Sequence, residues 1–176
     1  EFRRVLFRSS EFTHANVKRS PYLNGLKSAW MSRRNDKNAK CRIAWIRGAI
    51  EMISGGLDSA ELLEAVQERI QDCDDRVRLA VLTEIGASLP GGDFFNCAVK
   101  TAPFKGFLED VADRCLDKKE EVNVAALGLT ADFVFCLLRQ GGHQPLLSGL
   151  INRLLQLPYS ESRIFSRSAF GFLERG

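Results

Sequence analysis

The chain has 176 residues, 45% of them hydrophobic and 27% charged, with a formal net charge of +3, a balance that excludes disordered, fibrous and collagen-like chains. At this length roughly 68–75% of the unfolded surface is buried on folding, so a core needs no disulfide or metal staple. Charged residues interrupt every long apolar stretch before the roughly 20 residues of a bilayer span, which argues against a membrane protein. The five cysteines, odd in number and widely spaced, read as reduced, buried thiols of an intracellular setting rather than a secreted disulfide framework.

Residues 1–9, EFRRVLFRS, read as a one-frame translation of a sequencing adapter and not as a targeting signal, so the native part is expected to be residues 10–176, a piece of something longer. The remaining charge is unevenly spread. Residues 10–47 are basic, 48–138 acidic and 139–176 mildly basic.

Taken in chain order, Leu23, Leu26 and Trp30 lie on one face of a first helix, and 43–53 form a second that stops at Ser54-Gly55-Gly56. Leu62, Leu63, Val66 and Ile70 mark a third helix, followed by a fourth over 77–89 that ends at Pro90-Gly91-Gly92. Phe107, Leu108, Val111 and Cys115 mark the next, followed by a long apolar helix over 122–138. A weaker fourth hairpin has a helix over 145–157, a break at Leu157-Pro158-Tyr159-Ser160 and a second helix over 161–173. The hairpins therefore span about 22–53, 59–89, 104–138 and 145–173.

Three of the turns share a pattern: Asp36-Lys-Asn-Ala-Lys-Cys41-Arg42-Ile43-Ala44, Asp72-Cys-Asp-Asp-Arg-Val77-Arg78-Leu79-Ala80 and Asp117-Lys-Lys-Glu-Glu-Val122-Asn123-Val124-Ala125. Each Asp is placed to accept hydrogen bonds from free N–H groups where the second helix begins, and the helix dipole favours its charge there. Arg42 and Arg78, six residues on, can reach the Asp of a neighbouring unit, so Asp36, Arg42, Asp72, Arg78 and Asp117 are expected to form a structural ladder. The Ala two positions after the Arg is expected to allow close helix approach. One hairpin cannot bury both its apolar faces, so the expected fold is all-α: HEAT-type helical hairpins stacked as an α–α superhelix, or solenoid.

Little in the sequence suggests catalysis. His14 and His143 are far apart, no cysteine lies in a C-x-x-C pair or near a His, and so no catalytic, metal or cofactor residue is assigned. The glycine pairs 55–56, 91–92 and 141–142 match no phosphate-binding pattern and read as helix terminators. Asp72, Asp74 and Asp75 lack the later ligands of a calcium loop, where Val77, Leu79 and Ala80 stand. The basic stretch Lys27, Arg33, Arg34, Lys37, Lys40, Arg42, Arg47 suits an acidic peptide or nucleic-acid phosphates.

The segments DKNAKCRIAW (36–45), LLEAVQERIQDCDDRVRLAVLTEIG (62–86) and LEDVADRCLDKKEEVNVAALGLTADF (108–133) resemble successive repeats of the precocious-dissociation-of-sisters family of cohesin accessory subunits. In particular, an Arg before an apolar-Gln/Arg-Asp turn, then a Val-Arg-apolar-Ala helix start, followed one repeat later by an Asp-Lys-Lys turn, resembles its N-terminal half. The resemblance covers about 22–138, with Asn123 where the pattern has Arg and Cys41 where it has Val. It implies a non-enzymatic, hook-shaped scaffold in the nucleus, on chromatin, that binds the cohesin kleisin subunit and exchanges with the wings-apart-like release factor and the acetylation machinery. On that reading Arg33, Arg34, Lys37, Lys40, Lys118 and Lys119 are the candidate partner-binding residues. Two alternatives stay open at this point: an unrelated HEAT-repeat adaptor, and a helical-repeat nucleic-acid binder.

Overall fold

The computed structural model describes residues 21–57, 59–141 and 143–156, and all of its regular structure there is helical. Eight α-helices follow in order: α1 (Pro21–Ser32), α2 (Ala39–Ser54), α3 (Ser59–Ile70), α4 (Asp75–Ser88), α5 (Asp93–Ala98), α6 (Phe104–Asp113), α7 (Glu120–Gln140) and α8 (Gln144–Leu155). Short 3-10 turns at Arg33–Asn35 and Arg114–Leu116 extend α1 and α6 into their turns. The expected break at 157–160 and helix over 161–173, like residues 1–9 and His14, lie outside the described residues.

The helices pack in two rows. The second helices of the hairpins, α2, α4 and α7, lie side by side in that order, and the first helices α3, α6 and α8 pack successively beside them. Such nearest-neighbour packing is how helical repeats bury apolar faces that a lone hairpin leaves open. Along α3 the buried residues are Leu62, Leu63, Ala65, Val66 and Ile70, and along α6 they are Phe104, Phe107, Leu108, Val111 and Ala112. Both sets follow the 3.6-residue period that the sequence displays.

Three expectations fail in the first hairpin and its neighbours. Leu26 is 48% exposed, whereas Trp30 and Met31 of α1 pack against the core, the Trp30 ring 5.4 Å from that of buried Trp45. Ala44 is exposed and Ala125 only half-buried; Ala80 alone is buried, because it lies on a helix with neighbours in its row on both sides. Cys73 is exposed at a turn rather than packed.

The short helix α5 is an addition that the sequence pattern does not reveal. It starts at Gly92, whose φ of 75° suits glycine, so the second glycine pair opens a helix rather than only closing one. Its Phe95 sits with Phe104 and Phe133 at ring-centroid distances of 5.7 and 6.2 Å, and Phe107 lies 6.2 Å from Phe133. Edge and tilted aromatic contacts of this kind add about 0.5–1.5 kcal/mol each beyond area burial.

Helix α7 is more apolar than the charge pattern led us to expect. It is 21 residues with a mean hydropathy of 1.6 in its most apolar stretch, enough by length and composition to cross a membrane, and half of that stretch is buried inside the protein. Its apolar side chains Val122, Ala126, Leu129, Phe133 and Leu137 are used in packing against the neighbouring helices.

Candidate functional site

The three Asp turns form one edge of the stack, and each is built the same way. The backbone N–H of Asp36, Asp72 and Asp117 donates to the carbonyl three residues earlier, at 3.1, 3.2 and 2.9 Å. The Oδ1 of each Asp then accepts from the backbone N–H two residues on, that of Asn38, Asp74 and Lys119, at 2.9, 3.0 and 3.0 Å. These are Asx turns. Helix capping therefore falls two residues later than the sequence suggested: Asn38 and Asp74 are the N-caps and accept from Lys40 and Arg76 N–H at 2.9 and 3.0 Å. At the third turn Lys119 occupies the cap position and supplies no such bond.

Above this backbone frame, charged side chains join successive hairpins. Arg42 donates from Nε and Nη2 to the two carboxylate oxygens of Asp72 at 2.9 and 2.7 Å, while its Nη1 donates to the Asp36 carbonyl at 2.8 Å. Arg78 repeats the arrangement one hairpin on, reaching Asp117 at 2.9 and 3.0 Å and the Asp72 carbonyl at 2.8 Å. The planar guanidinium fork matches the carboxylate at both contacts. The Asp72 and Asp117 side chains are each only 3% exposed.

A second arginine supports each Asp from within its own hairpin, at a spacing of three: Arg33 on Asp36 at 2.9 Å, Arg69 on Asp72 at 3.4 Å and Arg114 on Asp117 at 3.3 Å. Burial opposes ionisation of Asp72 and Asp117, but hydrogen bonds from Arg42 or Arg78, the turn N–H and the flanking guanidinium charges outweigh it, so both stay below the ordinary carboxylate range. At Asp36 the Asn38 N–H and Arg33 lower the pKa, and at Asp74 the forked contact with Arg76 brings it to about 2. Arg69 and Arg114 belong to the site although they were not assigned to it. Their signal was present in the sequence as an Arg three residues before each Asp.

The six cations assigned to partner binding are not equivalent. Lys37, Lys40 and Lys118 are exposed and make no side-chain ion pair among the described residues. Arg33 is tied to Asp36, Arg34 lies 4.0 Å from Glu68, and Lys119 lies 3.8 Å from Asp75. The first and third turns thus present basic groups, and the middle turn separates them with Asp74, Asp75 and Arg76. Among the described residues no group of three His, Cys, Asp or Glu side chains could hold a metal ion. Burial pushes the Cys115 thiol up to about 11, far from a reactive thiolate.

The class these features define is an all-α, HEAT-like helical repeat whose successive hairpins are joined by Arg–Asp pairs along the turn edge. The family model described as "Sister chromatid cohesion protein PDS5 protein" matches residues 24–133, more than half of the chain and all three Asp turns, and the chain belongs to that family. It is a family of cohesin-associated regulators of sister chromatid cohesion. No curated protein and no solved structure matches the chain.

Proposed function

We propose that this chain is part of a nuclear, chromatin-bound scaffold whose turn edge docks an extended segment of the cohesin kleisin subunit. In exchange with the wings-apart-like release factor, the bound scaffold biases whether the ring opens or stays closed. The observation that carries this reading is the family match over the three hairpins that share the turn edge. Arg33, Arg34, Lys37 and Lys40 form the main polar contact surface, and Lys118 and Lys119 a second one. A segment with acidic residues at both ends and a basic one between them complements the order of charge along the edge. The role is non-enzymatic: recruitment and positioning, with no bond made or broken.

Family membership argues against an unrelated adaptor. Direct DNA binding draws support from the basic first turn, but the acidic middle turn would repel a continuous phosphate backbone. The test is fluorescence anisotropy of a labelled kleisin N-terminal segment titrated with this chain at two salt concentrations, with labelled duplex DNA in parallel. Saturable kleisin binding that persists at the higher salt supports the scaffold reading. Binding of DNA alone, lost steeply with salt, overturns it in favour of nucleic-acid recognition.

A further inference from the structure

In a stack of helical repeats each hairpin contacts only its neighbours, and the charged ladder obeys that rule. Its rungs join the first hairpin (α1 and α2) to the second (α3 and α4), and the second to the third (α6 and α7). Helix α5 departs from it. Although it lies in the chain between the second and third hairpins, its backbone packs chiefly on α2 of the first, with further contacts to α3 and α4. The contact lies at the end of the stack opposite the Asp turns. There Cys97 Sγ stands 3.9 Å from the carbonyl oxygen of Ser54, the last residue of α2, and beside Gly56, which turns the chain at a φ of 75°.

From the same short helix, side chains reach forward into the third hairpin. The Phe94 ring lies 6.5 Å from that of Phe107 in α6, and Phe95 lies 5.7 Å from Phe104 in α6 and 6.2 Å from Phe133 in α7. Asn96 accepts a hydrogen bond from the Gln140 side chain at the end of α7. Phe94 and Phe95 are both buried, so parting α5 from the third hairpin would expose two aromatic side chains to water.

We infer that α5 is a cross-brace tying the first hairpin to the third, so that the three open as one unit and not one by one. The ladder holds the stack along the turn edge and α5 holds it at the opposite end. A hairpin clamped at one end alone can pivot about that end; clamped at both it cannot. The relative placement of the first and third turns is therefore fixed by contacts remote from either. The brace is a property of the packing and holds whatever the turn edge binds. It converts a one-dimensional array, which opens in separate segments, into a single cooperative block.

Hydrogen–deuterium exchange of the whole chain, read by mass spectrometry as protection factors, tests this. In the unmodified chain the slowest amides of α2 and α7 are expected to agree within fivefold. Cys97→Asp sets a carboxylate against the Ser54 carbonyl and the negative end of the α2 dipole, and Cys97→Gly, the milder change, removes the contact. Each is expected to speed the slowest α2 amides at least threefold relative to those of α7, Cys97→Asp the more. Val111→Ala, a cavity in α6 away from the brace, is expected to speed α2 and α7 together. A more than fivefold difference between α2 and α7 in the unmodified chain overturns the inference, whether or not the variants fold. So does a smaller than threefold change of the α2-to-α7 ratio in the Cys97 variants that fold, or a Val111→Ala chain in which α7 alone is faster.

Discussion

At the first two turns an Asn or Asp caps the following helix, and an Arg four residues on grips the next hairpin. The third turn runs on the same backbone with Lys119 and Asn123 at those places. The Asx turn and the preceding 3-10 bond persist in all three, so turn shape depends on the Asp and the backbone alone. Coupling between hairpins is a separate layer, set by which side chain stands at the Arg position and which at the next Asp. A repeat can therefore loosen one junction without changing its fold.

The largest expected effect comes from breaking a clamped junction. Asp72→Ala leaves the Arg42 guanidinium, with a side chain 10% exposed, without its carboxylate, and should lower the unfolding free energy by about 3–5 kcal/mol in urea denaturation. Asn123→Ala removes only a hydrogen bond to a buried carbonyl and should lower it by about 1–3 kcal/mol. Equal losses would erase the distinction between the junctions.

Acid should act on the same contrast. The folded pKa values of Asp72 and Asp117 lie below their unfolded value of about 3.9. Their contribution to stability is therefore fully present above that value and is lost as pH falls through the lower folded values. Thermal unfolding followed from about pH 6 to pH 2 should show the midpoint falling below about pH 4, and Asp72→Asn/Asp117→Asn should flatten that fall. Parallel curves would mean that other carboxylates dominate acid unfolding.

A smaller gain is expected at the uncapped turn. Lys119→Asn supplies the missing side-chain acceptor and should raise stability by about 0.5–2 kcal/mol, whereas Asn38→Ala should lower it by a similar amount. The smallest effect belongs to Leu155→Ala at the end of α8, within about 0.5 kcal/mol because the side chain is already 78% exposed. A loss of several kcal/mol there would show that Leu155 is packed in solution.

Much of the fold was legible because apolar spacing and the Asp-to-Arg interval are both local patterns. The helices around Leu62, Val66, Phe107 and Val111 form where their periodicity places them, with those side chains buried. Capping was misplaced by two residues because Asp36 and Asp72 compete for nearby N–H groups with Asn38 and Asp74, and only geometry decides which accepts. Helix α5 escaped notice because six residues are too short for a periodic signal and its start is a glycine. Among the surface cations, charge alone could not separate Arg33, already held by Asp36, from Lys37 and Lys40, which are not so held.

That separation gives the most direct measurement. Lys37→Glu/Lys40→Glu reverses two exposed charges that take no part in the ladder, so the urea unfolding transition should not move. Anisotropy titration of the kleisin segment should show at least tenfold weaker binding than the unmodified chain at the same salt concentration. Undiminished affinity in the double variant, or no kleisin binding by the unmodified chain, would contradict the assignment of the turn edge as the docking surface.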